Sequence, residues 1–200
     1  MKQYEIKKVA SFDELKTAPI IEIDYPYPAG IPDGITAHAQ IGYSEHALLV
    51  HLWTEEAFTR AVEHGVLGIP CEDSCLEFFF CPMEGDGRYF NVEFNSNGCY
   101  YLGFGSNIHT LIRLVPEEPF FAPKIEKKDG GWETFYEIPY EFIRYFFPDF
   151  TVFAGKQIKA NCYKCSDLTE PPHYLSWSPI LGDPFTFHRT DGFGTMTFTE

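Results

Sequence analysis

Basic residues are few in this chain. Its 15 Lys and Arg stand against 29 Asp and Glu, for a formal net charge of −14 at pH 7. No basic run interrupts that acidity, and such a surface repels phosphate backbones, so nucleic acid is not an expected partner. Long apolar runs are also missing. No segment approaches the ~20 apolar residues of a membrane-crossing helix, so no membrane is expected either. The opening "MKQYEIKKVASFDELK" holds no apolar core of signal-peptide length. The expected location is therefore cytoplasmic for the chain as it stands, or else outside the cell with an export signal already lost. No repeat, low-complexity tract or linker-like stretch divides the 200 residues, which reads as one domain over 1–200. Methionine is scarce at 3 residues, but 20 Phe and 12 Tyr with 16 Gly and 15 Pro describe many short strands joined by turns.

The strands can be placed. Residues 34–43 and 47–53 carry strand patterning, and "TEEAFTRAVEHG" predicts a short helix with Thr54 as its N-cap and Gly65 past its end. In "CLEFFFC" (75–81), Leu76, Phe78 and Phe80 share one face while Glu77 and Phe79 point the other way. "YFNVEFN" (89–95) alternates Phe90, Val92 and Phe94 with Asn91, Glu93 and Asn95, and the Asn97-Gly98 turn then leads into "CYYLGFG". If the apolar sets of the first two strands face one core, Glu77 stands opposite Asn91 or Glu93, because a one-residue slip would turn every side chain over. "HTLIRLV", "WETFYEI", "KQIKANCYKC" and "GTMTFT" read as further strands, and "PEEPFFAPKIEKKDGG" as a loop. "PYEFIRYFF" reads as a helix opening at Pro139. About nine strands and two short peripheral helices predict an all-β, antiparallel β-sandwich of jelly-roll or immunoglobulin-like type.

The polar row Glu77, Asn91, Glu93, Asn95, Asn161 and Tyr163 suits a polyhydroxylated ligand. Amides both donate and accept, and carboxylates accept charge-assisted bonds. The ordinary alternative is a solvated sheet face, though such faces are usually richer in Lys and Thr than this row is. Trp53 and Trp177 are candidates to stack on a sugar ring, Trp177 from within "LSWSPI", whereas Trp132 precedes a regular strand and looks structural. Glu77 and Glu93 also raise a catalytic reading, since retaining glycosidases hold two carboxyl groups ~5–5.5 Å apart. The six cysteines allow disulfides, but the absence of a signal favours reduced, buried thiols. Cys71-x3-Cys75 and Cys162-x2-Cys165 loosely resemble two halves of a zinc site, but strand alternation sends Cys162 and Cys165 to opposite faces.

"EDSCLEFFFCP", "YFNVEFNSNG", "KANCYKCSD", "LSWSPI" and "FHRTDGFGTMTF" follow one another in an order and spacing that resemble the family 9 carbohydrate-binding modules, in particular stand-alone members grouped with the DOMON-like sandwiches. The matching blocks run from about residue 70 to the C-terminus. The resemblance implies a β-sandwich that binds mono- or oligosaccharides without catalysis, in the service of polysaccharide-degrading glycoside hydrolases, with calcium bracing its loops. No other cofactor is implied. It places Glu77, Glu93, Asn95, Asn161, Tyr163, Trp177 and His188 at ligand-contacting positions. The chain departs from the pattern at "GIPCEDS", where many members carry a clamping tryptophan; Trp53 is the candidate substitute. Asp73, Glu84, Asp86 and Asp183 offer the oxygens that calcium prefers. Two readings stand beside sugar binding: a glycoside-processing enzyme using Glu77 and Glu93, and a scaffold that has lost its sugar site.

Overall fold

The computed structural model describes residues 2–27, 34–115, 121–182 and 185–200. Its strands in chain order are β1 (Gln3–Lys8), β2 (Ile21–Glu22), β3 (Tyr25–Tyr27), β4 (Thr36–Tyr43), β5 (Ala47–Glu55), β6 (Cys75–Cys81) and β7 (Tyr89–Asn95). They continue with β8 (Tyr100–Gly105), β9 (Ile112–Arg113), β10 (Lys124–Lys128), β11 (Gly131–Pro139), β12 (Gln157–Ser166), β13 (His173–Ser176) and β14 (Gly194–Thr199). Two short helices, α1 (Phe12–Leu15) and α2 (Tyr140–Phe146), lie at the periphery.

One hydrogen-bonded path runs β10-β11-β5-β4-β1-β14-β12-β6-β7-β8-β9, and its two arms fold over a shared core. Leu48, Val50 and Leu52 of β5 enter that core from one arm; Leu76, Phe78 and Phe80 of β6 and Phe90, Val92 and Phe94 of β7 enter from the other. Each fully buried side chain of this size stabilises the fold by about 1.5–3 kcal/mol. Trp132 closes one end of the core as a structural residue, its indole N–H donating to Ser74 Oγ over 2.9 Å. The sandwich is mixed rather than wholly antiparallel. β1 lies parallel to both β4 and β14 and stitches the two arms together, whereas every other ladder among the described residues is antiparallel.

The sheet around the candidate site follows the alternation. Leu76 pairs with Phe94, Glu77 with Glu93 and Phe78 with Val92. The Asn97-Gly98 turn forms as expected: Gly98 takes φ +75°, which suits glycine, and the side-chain carbonyl of Asn95 accepts from the N–H groups of Asn97 and Cys99.

Elsewhere tertiary contacts override local pattern. The helix expected from Thr54 does not form, because β5 runs on to Glu55 and Thr54 donates to the Thr36 carbonyl instead of capping. The chain beyond it is held by the Asp73 carboxylate, which accepts from the N–H groups of Val62 and Glu63. Part of the expected loop at 116–131 is the edge strand β10, paired with β11; its charged sequence suits an exposed sheet edge. Of "HTLIRLV", only Ile112–Arg113 pairs as strand, since the Asn107 side chain caps the preceding turn by accepting from His109 and Thr110.

Candidate functional site

Period-two alternation puts one set of polar side chains on the face of β6, β7, β8 and β12 that turns away from the core. The ladders align Tyr163, Glu77, Glu93 and Tyr101 in one row across four strands. Asn161, Phe79, Asn91, Gly103 and Arg113 form the next. This face is not solvated. Asn91, Asn95, Asn161 and Tyr163 are 0% exposed, Glu77 2% and Glu93 7%. Loops from residues 56–72, 177–182 and 185–193 lie over it, and Phe79, Tyr89, Tyr163, Ile180 and Phe193 make a second, smaller apolar cluster beneath the latter two.

Several expected ligand contacts are committed to those covering loops. Asn95 donates to the Glu63 carbonyl and to Asp73. Asn161 donates to the Ser178 carbonyl at 2.9 Å and accepts from the Ser178 and Cys162 N–H groups. Tyr163 donates to the Phe187 carbonyl at 3.0 Å and stacks on that ring at 4.1 Å. With their hydrogen-bonding capacity used, these three hold the site's walls and offer little to a ligand.

Trp177 does not stack on a sugar: it is a core residue, 4% exposed, edge-on to Tyr4 at 6.4 Å and tight against Gly194. Trp53 does not replace the missing clamp. Leu48, Val50 and Leu52 point inward from β5, so Trp53 points out of the opposite arm, where it lies between His38 and His51 with ring centroids 5.0 and 4.6 Å away. The whole core separates it from Glu93.

His188 packs beside Phe79, and its Nδ1 lies 2.7 Å from the Tyr89 hydroxyl. Burial pushes its pKa down from 6.5 to about 4, so the ring is neutral and accepts from Tyr89. Between about pH 6.5 and 4 the unfolded chain takes up a proton here that the folded chain refuses, so stability is lost as pH falls through that window. The variant His188→Asn keeps an acceptor for Tyr89 and is expected to show a shallower fall in melting temperature between pH 6.5 and 4.5. An unchanged slope would contradict this.

Glu93 and Asn91 remain. Asn91 donates to Glu93 Oε1 at 2.7 Å, and its own Oδ1 has no partner among the described protein atoms. Leaving a buried acceptor unpaired costs about 1–3 kcal/mol, which marks the spot as one where a ligand donor would be welcome. Gly103 permits the arrangement: a Cβ there would fall 1.9 Å from Asn91 Oδ1. Burial pushes the Glu93 pKa up to about 7, against the opposing pull of the Asn91 N–H and the nearby Arg113 charge. Glu77, directly opposite, is raised well above the carboxylate range by burial and then by the Glu93 charge. It is enclosed, and Cys165 Sγ approaches its Oε1 to 2.9 Å. Glu77 is therefore the more closed member of the pair, 2% exposed against 7% for Glu93.

The rim contains residues not among the expected ligand contacts. Tyr101, Arg113, Asp167, Tyr174 and Cys71, the last weighed only as half of a zinc site, are each half-exposed. Tyr101 pairs with Glu93 across the hairpin, and the Arg113 guanidinium lies 4.5 Å from its ring centroid while donating to the Gly68 and Tyr100 carbonyls. Counting back from Asn97-Gly98 would have found Tyr101. Nothing local announces Cys71, Asp167 or Tyr174, which arrive from distant loops and β13.

Two of the oxygens expected for calcium are already engaged by the protein. Asp73 is fully buried, and its carboxylate is occupied by Arg60, two backbone N–H groups and Asn95. Asp86 is held by Arg88 through both carboxylate oxygens. Asp183 lies outside the described residues.

No curated protein matches the chain. Among solved structures, a Bacteroides uniformis ATCC 8492 protein with a provisional carbohydrate-binding description is 29% identical, with a TM-score of 0.82 over 98% of this chain and 99% of that one. A family 9 carbohydrate-binding module from Caldicellulosiruptor kristjanssonii, in complex with glucose, is 9% identical, with a TM-score of 0.69 over 99% of this chain and 96% of that one. The same organism's family 9 module in complex with cellotriose gives 9% identity and a TM-score of 0.68 over 99% and 94%. At that identity the likeness shows a shared sandwich fold. The sequence itself matches the profile of carbohydrate-binding family 9 over residues 6–198, nearly its whole length, and the chain belongs to that family.

Proposed function

We propose that this carbohydrate-binding domain takes its sugar at the face of β7 and β8 around Glu93 and Asn91, with Tyr101 as the apolar wall. One observation carries the reading: a nearly buried carboxylate and an unpartnered amide oxygen lie side by side beneath a half-exposed aromatic ring. Sugar hydroxyls would donate to Glu93 Oε2 and Asn91 Oδ1, and the ring's C–H face would cover Tyr101. Glucose and short β-linked gluco-oligosaccharides are the first ligands to try, because the structurally similar modules were captured with glucose and cellotriose. A single wall replaces the two-sided tryptophan clamp, so the grip on the ring is expected to be weaker and the hydrogen bonds proportionally more important. A glycoside hydrolase acting on the same polysaccharide is the partner this role implies.

The test is calorimetric titration with glucose, cellobiose and cellotriose, with reducing-sugar release followed in parallel. Saturable binding without turnover is expected, weakened by about three- to ten-fold in Tyr101→Ala, in line with one aromatic contact of ~0.5–1.5 kcal/mol. Turnover, or unchanged affinity in that variant, would overturn the assignment.

A further inference from the structure

Beside the proposed sugar-binding face lies a second chemical cluster that sugar binding does not use. The β6–β12 ladder sets Cys75 directly opposite Cys165, and Glu77 follows two residues along on the same face. The two sulfurs and a Glu77 oxygen all lie within 4.8 Å of one another, and all three residues are buried. We propose that Cys75, Glu77 and Cys165 bind a thiophilic divalent cation, with Zn2+ as the first choice, and that Cys71 supplies the fourth ligand.

Geometry is the first argument. Zinc bonds sulfur at ~2.3 Å and carboxylate oxygen at ~2.0–2.2 Å, so tetrahedral ligand atoms sit about 3.3–3.8 Å apart. The cluster is within a side-chain adjustment of that spacing, and Cys165 Sγ already approaches Glu77 Oε1 to 2.9 Å. Both cysteines stand on paired central strands, so the backbone need not move to bring them together.

Charge is the second. Glu77 is a buried carboxyl group whose direct side-chain partner is a thiol. Lys164, its neighbour across the ladder, points to the other face and is engaged by Glu56 and His173. Three groups that bind metals when deprotonated meet in one buried spot, and a divalent ion there would displace their protons and neutralise the thiolates and carboxylate together. Thiolate sulfur favours zinc over calcium.

Cys71 is the third. It lies in the 3-10 turn Pro70–Glu72, half-exposed, with its carbonyl 3.9 Å from Cys165 Sγ. That turn is docked on the end of β12: Asp167 N–H donates to the Cys71 carbonyl and Leu168 N–H to that of Glu72. The Cys71 backbone thus abuts the cluster from the exposed side. The residue offers both a third sulfur, as the fourth ligand, and the route by which an ion enters. Cys162, the partner suggested by its spacing to Cys165, faces the core and takes no part.

The test uses reduced, metal-free full-length protein titrated with Co2+ as a spectroscopic probe. One equivalent is expected to produce a thiolate-to-cobalt charge-transfer band and tetrahedral d–d bands, both erased by Zn2+. Cys165→Ser should abolish the band, Cys71→Ser should reduce it, and Glu77→Gln should weaken affinity by about ten- to hundred-fold. Should Cys165→Ser fail to fold, alkylation of the parent protein decides the matter. Zn2+ should then protect Cys71, Cys75 and Cys165 while leaving Cys81, Cys99 and Cys162 as reactive as before. No charge-transfer band from the folded parent, a band that persists in folded Cys165→Ser, or a Cys75–Cys165 disulfide that Zn2+ does not prevent would each overturn the proposal. Sugar titration reads a different property, so the two assignments can fail separately.

Discussion

Replacing Glu93 with glutamine is expected to lower sugar affinity by about ten- to hundred-fold at pH 8 while the protein stays folded. The size follows from the bond removed: a hydrogen bond to a charged group contributes about 1.5–3 kcal/mol, and 1.4 kcal/mol is a factor of ten. Glutamine keeps the shape and an oxygen for Asn91 Nδ2, but it removes the negative charge that a sugar hydroxyl would meet. The fold should not suffer. Glu93 is 7% exposed and its pKa is already raised to about 7, so an ionised carboxylate there opposes folding at pH 8 and glutamine relieves that cost. Paired calorimetry and thermal melting separate the two effects. Affinity within twofold of the parent, from a variant that melts normally, would move the sugar away from β7.

Trp177→Ala is expected to cost about 3–5 kcal/mol of stability, the usual range for deleting a fully packed Trp or Phe. For a chain of this size that corresponds to a drop in melting temperature of roughly 6–20 °C. The indole is 4% exposed, edge-on to Tyr4, and pressed against Gly194, so its removal opens a cavity where β1, β12 and β14 meet. A surface tryptophan serving a sugar would behave in the opposite way, losing affinity at constant stability. Trp177→Phe keeps most of the volume and should bind sugar as the parent does. Near-parental melting of Trp177→Ala, or lost affinity in Trp177→Phe, would return Trp177 to the binding face.

Both predictions turn on the same limit of sequence reading. The alternation in β6 and β7 was enough to place Leu76, Phe78 and Phe80 with Phe90, Val92 and Phe94, and to leave Glu77 opposite Asn91 or Glu93, of which the structure takes Glu93. It was also enough to gather Asn91, Asn161 and Tyr163 on the same outward face. It could not say what lies over that face. Asn95, Asn161 and Tyr163 look like ligand contacts until Glu63, Ser178 and Phe187 arrive from elsewhere in the chain and use up their hydrogen bonds.

Strand identity and the facing of side chains across β6, β7 and β8 were determined by the sequence alone, because period-two patterning and an Asn-Gly turn act over a few residues. The parallel insertion of β1, the fate of the 54–65 segment, the burial of Trp177 and the meeting of Cys75, Glu77 and Cys165 were decided only in the tertiary structure. Those outcomes depend on partners tens of residues away, whose hydrogen bonds and packing outweigh local propensities of a few tenths of a kcal/mol per residue.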